Sequence, residues 1–290
     1  MFAVTGITGN VGSVVARILL ESGQSVRAIV RDESRGDPWA KGGCEVAVAD
    51  IFDAKALTKA FQGTEGVFVL VPPVFDPKPG FPEARAVASA LKSALAAAKP
   101  GKVVYLSTIG AHAKEANLLS QHTIIEDALR EFPVPVTFLR PAWFMENASW
   151  DVATAQNEGM ISSFLQPLDR AVPMIATADI GNLAAQLLQE TWTGSRVVEL
   201  EGPTRVTPHD VAGAFSRLLG RPVKAQAVPR ESWESLFLSQ GMQNPTPRIR
   251  MLDGFNEGWI DFERGAASSR KGATRLETVL QWLIKRANKH

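Results

Sequence analysis

Short apolar and β-branched runs alternate with longer amphipathic stretches over the first half of the chain. Six runs predict strands: FAVTG, SVRAIV, CEVAVAD, GVFVLV, KVVYLST and VPVTFLR. Four stretches with helical spacing lie between them: VGSVVARILLESG, DAKALTKAFQG, PEARAVASALKSALAAAKPG and NLLSQHTIIEDALREF. Strands that alternate with helices and lack a period of two are typical of a parallel sheet covered on both faces. The pattern therefore predicts an α/β fold with a Rossmann-like, doubly wound parallel sheet.

The rhythm changes after residue 145. A strand and helix, PMIATADIGNLAAQLLQE, are expected to return to the main sheet, so residues 170–192 are assigned to it. The remaining elements predict a smaller mixed α/β C-terminal lobe: RVVELEGP, VAGAFSRLLG, VKAQAV, ESWESLFLSQG and LETVLQWLIKRA. Residues 147–164 and 240–261 are interpreted as loops. We therefore expect an N-terminal domain over 1–148 and a smaller, substrate-binding lobe over 149–290.

Composition narrows the class of protein. Of the 290 residues, 45% are hydrophobic and 21% are charged, and the net charge is +1, as in an ordinary globular protein. The basic residues are scattered, so no nucleic-acid partner is expected, and no apolar run is long enough to cross a bilayer. The single cysteine, Cys44, excludes an internal disulfide and fits a reducing cytoplasm. We expect a cytoplasmic monomer or homodimer with no metal and no membrane partner.

The segment VTGITGNVG contains three glycines, Gly6, Gly9 and Gly12, at intervals of three between a predicted strand and a predicted helix. Glycine permits a sharp turn with positive φ, a close approach of backbone to a pyrophosphate, and tight packing of helix on sheet. The helix that begins near Val11 would direct its free N–H groups and its positive dipole end at that anion. The segment therefore predicts a dinucleotide-binding loop, and residues 1–148 a dinucleotide-binding domain.

Arg31 ends the second predicted strand, 19 residues beyond Gly12. An acid in this vicinity commonly binds the adenosine ribose of NAD, whereas an arginine offers donors to the 2′-phosphate of NADP. Arg31, helped by Arg35, favours NADP(H) as the cofactor. The neighbouring Asp32 would favour NAD if its carboxylate pointed at the ribose. A charged turn exposed to solvent is the simpler alternative.

Several motifs together resemble the NmrA-like family of atypical short-chain dehydrogenase/reductases. They are TGITGNVG, the arginine after the second strand, YLSTIGAH, the H-x-x-x-E formed by His122 and Glu126, and LRPAWFMEN. The resemblance extends over nearly the whole chain through TADIGNLAAQLL and GPTRVTPHDVAGAFSRLLGRPV. Similar members include NADPH-dependent quinone oxidoreductases and azoreductases, and also regulatory proteins that bind the cofactor without catalysis. The resemblance therefore implies bound NADP(H) and a small aromatic or quinone-like substrate.

The resemblance also implies a set of cofactor-binding residues along the carboxyl edge of the sheet, where open α/β sheets bind ligands. The set is Gly6, Thr8, Gly9, Asn10, Val11, Gly12, Arg31, Arg35, Asp50, Ile51, Val71, Pro72, His122, Pro141, Trp143 and Phe144. Trp143 and Phe144 are expected to pack along the nicotinamide, or alternatively between the lobes.

Typical members of the wider superfamily carry Tyr-x-x-x-Lys on the helix after the fifth strand, and the tyrosine gives its proton to a substrate oxygen. The corresponding positions here are Leu118 and His122, and the only tyrosine, Tyr105, lies inside the fifth strand. Reduction of an isolated ketone gives an alkoxide about as basic as hydroxide, far more basic than a phenolate. Hydride addition to a quinone gives a phenolate-like anion, with a pKa of about 10. The sequence therefore favours an activated acceptor such as a quinone or azo compound.

Three residues are candidates for catalysis. His122 is expected to contact the nicotinamide ribose and to supply a proton, because imidazole titrates near neutral pH; the alternative is a histidine packed in the core. Ser107 and Thr108 end the fifth strand, where their hydroxyls would either orient a substrate oxygen or satisfy loop backbone groups. Phe75 and Trp150 would stack on a flat acceptor if they faced the cleft.

Two functions agree with these motifs. The first is an NADPH-dependent reductase of quinone-like or azo-like acceptors. The second is a non-catalytic redox sensor that binds NADP(H) and contacts a partner through its second lobe. Both require the glycine loop, so the motifs alone do not separate them.

Overall fold

The protein is described here by a computed structural model over residues 1–288, which contains twelve strands and eleven α-helices in that range. The strands are β1 (Phe2–Val4), β2 (Val26–Val30), β3 (Glu45–Val48), β4 (Gly66–Val69), β5 (Val103–Leu106), β6 (Val136–Pro141), β7 (Trp143–Phe144), β8 (Met160–Ser163), β9 (Met174–Ile175), β10 (Ser195–Glu201), β11 (Lys224–Ala227) and β12 (Arg270–Lys271). The helices are α1 (Asn10–Glu21), α2 (Asp37–Lys41), α3 (Ala54–Phe61), α4 (Pro82–Ala98), α5 (Ser120–Leu129), α6 (Val152–Asn157), α7 (Thr177–Gln189), α8 (Pro208–Leu219), α9 (Trp233–Ser239), α10 (Thr246–Glu257) and α11 (Leu276–Ala287).

Eight strands form one sheet in the order β12-β10-β6-β5-β4-β1-β2-β3. Every neighbouring pair in this sheet is parallel. The chain winds outwards from β1 in one direction and from β4 in the other, so the predicted doubly wound sheet is confirmed. Ligands of such sheets bind beyond the carboxyl ends of the strands, next to the point where the winding reverses. That point lies between β1 and β4.

Helices cover both faces of the sheet. Helices α1 and α7 pack against each other over one face, and α3, α4 and α5 form a row on the other. A glycine permits the close contact of the first pair, because a Cβ at Gly181 would lie 2.5 Å from the Cβ of Val14. The strands between these layers are buried on both sides, which explains why their sequences lack alternation. None of the helices within residues 1–288 combines the length and apolar character that a bilayer-spanning segment requires.

The pairing of the later strands differs from the prediction. The strand before α7 was expected in the main sheet, but this prediction is wrong, because β9 pairs with β7 in a separate two-stranded sheet. The segment RVVELEGP was expected in the smaller lobe, yet it forms β10 and lies beside β6 in the main sheet. A hydrophobic run identifies a strand, whereas its partner is chosen by contacts distant in sequence.

Both long segments interpreted as loops contain regular structure, so that interpretation is wrong. Residues 147–164 include α6 and β8, and residues 240–261 include α10. Charges at Arg248 and Arg250 and a glycine at Gly254 interrupt the apolar pattern of α10. Gly254 is required there because a Cβ would lie within 2.7 Å of the Ile260 and Trp259 side chains. Tertiary packing therefore maintains a helix that its own sequence specifies poorly.

Candidate functional site

A cavity of about 580 Å³ extends along the carboxyl edge of the sheet. Its wall includes Arg31, just beyond β2, and residues of the segments that follow β3, β4, β5 and β6. Helix α10 contributes Met251, Leu252 and Phe255 to the wall. Most of the lining side chains are apolar or aromatic, as in sites for organic ligands.

The glycine loop lies between β1 and α1, where the winding of the sheet reverses. Gly6 has a φ of +63°, a conformation that L side chains rarely adopt. A Cβ on Gly12 would collide with the carbonyl group of Gly6 and lie 2.9 Å from the nitrogen of Ile7. Helix α1 has no side-chain cap and no acidic residue in its first turn. Its N–H groups and dipole therefore remain available to an anion, so the loop fits a pyrophosphate.

Asp32 does not compete with Arg31 in this structure. The Asp32 carboxylate accepts hydrogen bonds from the Ser34 backbone N–H at 3.0 Å and from the Ser34 hydroxyl at 2.9 Å. These bonds cap a short 3₁₀ turn over Glu33–Arg35 and lower the pKa of Asp32. Arg31 lines the cavity, whereas Arg35 is exposed on the capped turn and lies outside the cavity wall. Arg31 is therefore the cation at this end of the cleft.

The phenol of Tyr105 contacts the imidazole of His122, with 2.7 Å between the hydroxyl oxygen and Nδ1. Tyr105 is fully buried, and burial raises the pKa of its phenol well above 10, so the hydroxyl keeps its hydrogen. Nδ1 is its sole hydrogen-bond partner within residues 1–288. If Nδ1 carried a hydrogen, the buried phenol would have no acceptor, at a substantial free-energy cost. The phenol therefore donates, and the imidazole hydrogen is on Nε2.

His122 lines the cavity from α5. Its enclosed position lowers the pKa of the imidazole to about 4, because desolvation penalises the charged form more than the Glu126 carboxylate favours it. The ring is therefore neutral near pH 7. No acceptor for Nε2–H is present among residues 1–288. His122 thus provides a neutral N–H donor, Nε2–H, to the cavity. A histidine packed in the core would not provide such a donor.

Ser107 and Glu126 belong to a buried network behind this wall. The Ser107 hydroxyl donates to Glu126 Oε1 at 2.5 Å. Arg140 binds the same carboxylate in bidentate fashion, through Nε at 2.9 Å and Nη2 at 2.6 Å, and Nη1 contacts Glu263 at 2.7 Å. Ser107, Glu126 and Arg140 are all almost inaccessible to solvent. The glutamate of the H-x-x-x-E motif therefore ties α5 to β6.

Aromatic side chains form much of the cavity wall. Trp143 packs edge-to-face on Phe255 with 5.2 Å between the ring centroids. Phe75 and Trp150 also line the cavity, and both are more than half exposed. Aromatic side chains around a cavity of this volume suit a flat organic ligand.

The structure brings most of the predicted residues to one edge of the sheet. Nine of them line the cavity: Arg31, Asp50, Ile51, Val71, Pro72, Thr108, His122, Trp143 and Phe144. The loop residues Gly6, Thr8, Gly9, Asn10, Val11 and Gly12 lie at the winding reversal, outside the cavity wall. Arg35, Ser107 and Pro141 do not reach the wall. The positions of these residues do not test whether they bind cofactor or take part in catalysis, so those roles stay predictions.

Sequence reasoning missed Asp151, which follows the LRPAWFMEN segment and lines the cavity. Its carboxylate makes no hydrogen bond or salt bridge within residues 1–288, and desolvation alone raises its pKa to about 7. The other ionisable groups in the wall are Arg31, Asp50, Glu83, His122 and Arg248. No motif singled out Asp151, because its property arises from the apolar surroundings that the fold supplies.

Comparison with known proteins places this fold and cleft in a family. The NmrA-like family matches residues 1–265. The NAD(P)H azoreductase of Xenophilus azovorans is 28% identical over 260 residues, which cover 89% of this chain and 85% of the relative. Quinone oxidoreductase 2 of Escherichia coli (strain K12) is 27% identical over 244 residues, with coverage of 83% and 82%.

A solved structure shows the same architecture. The NADPH-dependent quinone oxidoreductase from Escherichia coli superimposes with a TM-score of 0.77 at 25% identity, over 97% of this chain and 99% of that chain. The fold, the glycine loop and the family match over most of the length agree. The chain belongs to the NmrA-like family.

Proposed function

We propose that this protein is an NADPH-dependent reductase that transfers hydride to an activated two-electron acceptor, such as a quinone or azo compound. The observation that carries the proposal is one cavity at the carboxyl edge of the sheet, whose wall contains both the cation Arg31 and several aromatic side chains. The names of the azoreductase and quinone oxidoreductase relatives support this acceptor class. Monomer or homodimer, and a cytoplasmic location, stay predictions.

The glycine loop is assigned to the cofactor pyrophosphate, which the first turn of α1 would bind through backbone N–H groups. Arg31, with Arg35 nearby, would bind the 2′-phosphate. The remaining residues proposed to contact the cofactor are Asp50, Ile51, Val71, Pro72, His122, Pro141, Trp143 and Phe144. When bound, the cofactor supplies the hydride, and the protein orients the two reactants.

His122 would act as a neutral hydrogen-bond donor through Nε2–H, directed at the nicotinamide ribose or at an acceptor oxygen. Loss of that hydrogen would create an imidazolate, so His122 is a poor proton source. The Thr108 hydroxyl, also in the wall, would help to orient the acceptor. Ser107 would act indirectly, because its hydroxyl is bonded to Glu126.

Asp151 would supply the proton that accompanies each hydride. With a pKa of about 7, its carboxyl retains its proton on a substantial fraction of molecules near neutral pH. A positioned acid whose pKa matches the working pH is the most effective donor. Asp151 would give its proton to the anion that hydride addition leaves on a quinone, which completes the hydroquinone, and solvent would then reprotonate the Asp151 carboxylate.

The test follows NADPH absorbance in the presence of a panel of quinones and azo compounds. Oxidation that depends on both protein and acceptor is expected. If NADPH binds to the protein and no acceptor in the panel is reduced, the reductase proposal is wrong. The redox sensor, which the missing Tyr-x-x-x-Lys pair favours, would then be the better assignment.

A further inference from the structure

Arg248 places a cation in the apolar part of the cavity wall. It lies in the first turn of α10 and forms no salt bridge with any carboxylate within residues 1–288. Its hydrogen-bond partner within residues 1–288 is the sulfur of Met242, 3.8 Å from Nη1, and a thioether is a weak acceptor. The guanidinium therefore has most of its five donors free.

Packing holds this guanidinium in place. Its central carbon lies 4.4 Å from the centroid of the Phe237 ring, and Phe237 is itself fully buried. Burial lowers the pKa of Arg248, because the charged form has lost part of its hydration. A desolvated charge is unfavourable unless a counter-charge compensates for it.

Other enclosed arginines in the chain do have such partners. Arg140 binds Glu126 through two donors, and Arg205 binds both oxygens of Asp261 at 2.8 Å. The cavity wall also contains carboxylates, including Glu83 and Asp151, but neither pairs with Arg248. Arg248 therefore has no anionic partner within residues 1–288.

We propose that Arg248 binds an anionic substituent of the acceptor, a sulfonate, carboxylate or phosphate ester, so that the preferred substrates are negatively charged aromatic acceptors. This inference rests on the proposed reductase function. The planar guanidinium matches these oxyanions through two parallel hydrogen bonds. The aromatic wall formed by Trp143, Phe255 and their neighbours would receive the ring system of the same molecule. A cofactor phosphate is the other source of the same anionic chemistry.

The experiment compares two azo dyes, methyl yellow and methyl orange, which differ by one sulfonate. Arg248→Met removes the charge and keeps most of the side-chain volume, and Arg248→Lys keeps the charge without the planar fork. Arg250→Met is the matched control, because Arg250 lies on the same helix, stacks on Trp259 and does not line the cavity. Thermal unfolding of each variant checks that it folds.

A charge-assisted contact predicts that Arg248→Met raises the KM for methyl orange about 10–100-fold relative to its effect on methyl yellow. Arg248→Lys should be intermediate, and Arg250→Met should leave the ratio unchanged. An equal effect on both dyes would overturn the proposal. A rise in the KM for NADPH in place of the KM for methyl orange would assign the anion to the cofactor and would overturn it as well.

Binding without turnover separates this inference from the proposed function. Calorimetric titration of the NADP⁺-loaded protein with naphthalenesulfonate and with naphthol should show weaker sulfonate binding in Arg248→Met and unchanged naphthol binding. If that difference is found while no acceptor is reduced, the anion site stands and the reductase proposal fails. If dyes are reduced but the sulfonate binds equally to both proteins, the reductase stands and the anion site fails.

Discussion

The hydroxyl of Tyr105 donates to His122 Nδ1 across 2.7 Å, so the only tyrosine in the chain fixes the tautomer of the histidine that lines the cavity. In typical members of the superfamily the tyrosine meets the substrate itself. In this chain the Tyr105 phenol is buried against the His122 imidazole, and it is His122 that lines the cavity. The pair therefore presents a neutral N–H donor at the position that corresponds to the lysine of Tyr-x-x-x-Lys.

The first prediction concerns this pair. Tyr105→Phe should convert His122 from a single Nε2–H tautomer to a mixture, because Nδ1 loses its donor. Loss of one hydrogen bond of about 1 kcal/mol should also raise the KM for NADPH about fivefold. Long-range ¹⁵N–¹H correlation of the four labelled histidines measures the tautomer, with His122→Asn to assign the signal. An unchanged His122 spectrum would contradict the assignment of Tyr105 as the donor.

The second prediction concerns cofactor choice. Arg31→Ala should raise the KM for NADPH about 10–100-fold and leave the KM for NADH nearly unchanged, because only NADPH carries the 2′-phosphate. Asp32→Asn should not alter the preference, since its carboxylate is engaged with Ser34. Steady-state kinetics with both cofactors measure the ratio, and Arg35→Ala should change it less than Arg31→Ala, because Arg35 lies outside the cavity wall. If Asp32→Asn changed the ratio of the KM values for NADPH and NADH as strongly as Arg31→Ala, the Asp32 carboxylate would reach the ribose.

The third prediction concerns Asp151. The kcat of the unmodified protein should fall as pH rises through about 7, because the proton donor is lost. Asp151→Asn should remove this pH dependence and lower kcat about 10–100-fold. This loss lies at the low end of what a general acid usually contributes, because the quinone product is only weakly basic. Glu83→Gln, a carboxyl change elsewhere in the wall, should keep the inflection. The same inflection in Asp151→Asn would rule Asp151 out.

Asp151 also predicts a pH dependence of stability. Its pKa is raised in the folded protein, so folding is favoured by the protonated form below the unfolded pKa of about 3.9. That contribution is lost as pH rises through the folded pKa of about 7. Asp151→Asn should therefore raise the Tm relative to the unmodified protein at pH 8 and have little effect at pH 4. The opposite order would mean that the carboxylate form is favoured in the folded state.

The last prediction concerns the buried pair Glu126–Arg140. Glu126→Leu should lower the free energy of unfolding by about 3–5 kcal/mol, because it leaves the Arg140 charge buried with Glu263 as its remaining carboxylate partner. Glu126→Leu combined with Arg140→Met should be less destabilised than Glu126→Leu alone. Urea unfolding of the four proteins in this double-mutant cycle measures the coupling. Additive losses would show that the two side chains do not stabilise each other.

The first half of the fold was predictable because its signals are local. Apolar runs, helical spacing and glycine turns identified β1 to β6 with α1, α3, α4 and α5, and the family resemblance is confirmed by the match over residues 1–265. The partners of β9 and β10 were not predictable, since strand pairing depends on surfaces assembled from distant segments. Helix α10 was missed because its apolar face is interrupted by Arg248 and Arg250.

The candidate site was predictable in outline and not in detail. The glycine loop and His122 were found from motifs, but the direction of Asp32 depends on Ser34, two residues on, a spacing that permits a local Asx turn. The contact of Tyr105 with His122 depends on the register of α5 against β5. Asp151 and Arg248 could not be identified from the sequence. Each is unusual because its charged group forms no salt bridge within residues 1–288, and the absence of a salt bridge is visible only in the folded chain.

The sheet is completed from both ends of the polypeptide, since β12 at its edge comes from Arg270 and Lys271. During synthesis, the residues of β5 and β6 are made before residues 195–201, which pair with the other side of β6 in the folded protein. At a synthesis rate of about 5–20 residues per second, the open edge of β6 therefore waits several seconds for β10. An unpaired strand edge invites association with other chains. The nascent protein therefore carries an unpaired, association-prone edge at β6 in the interval between the synthesis of these two strands.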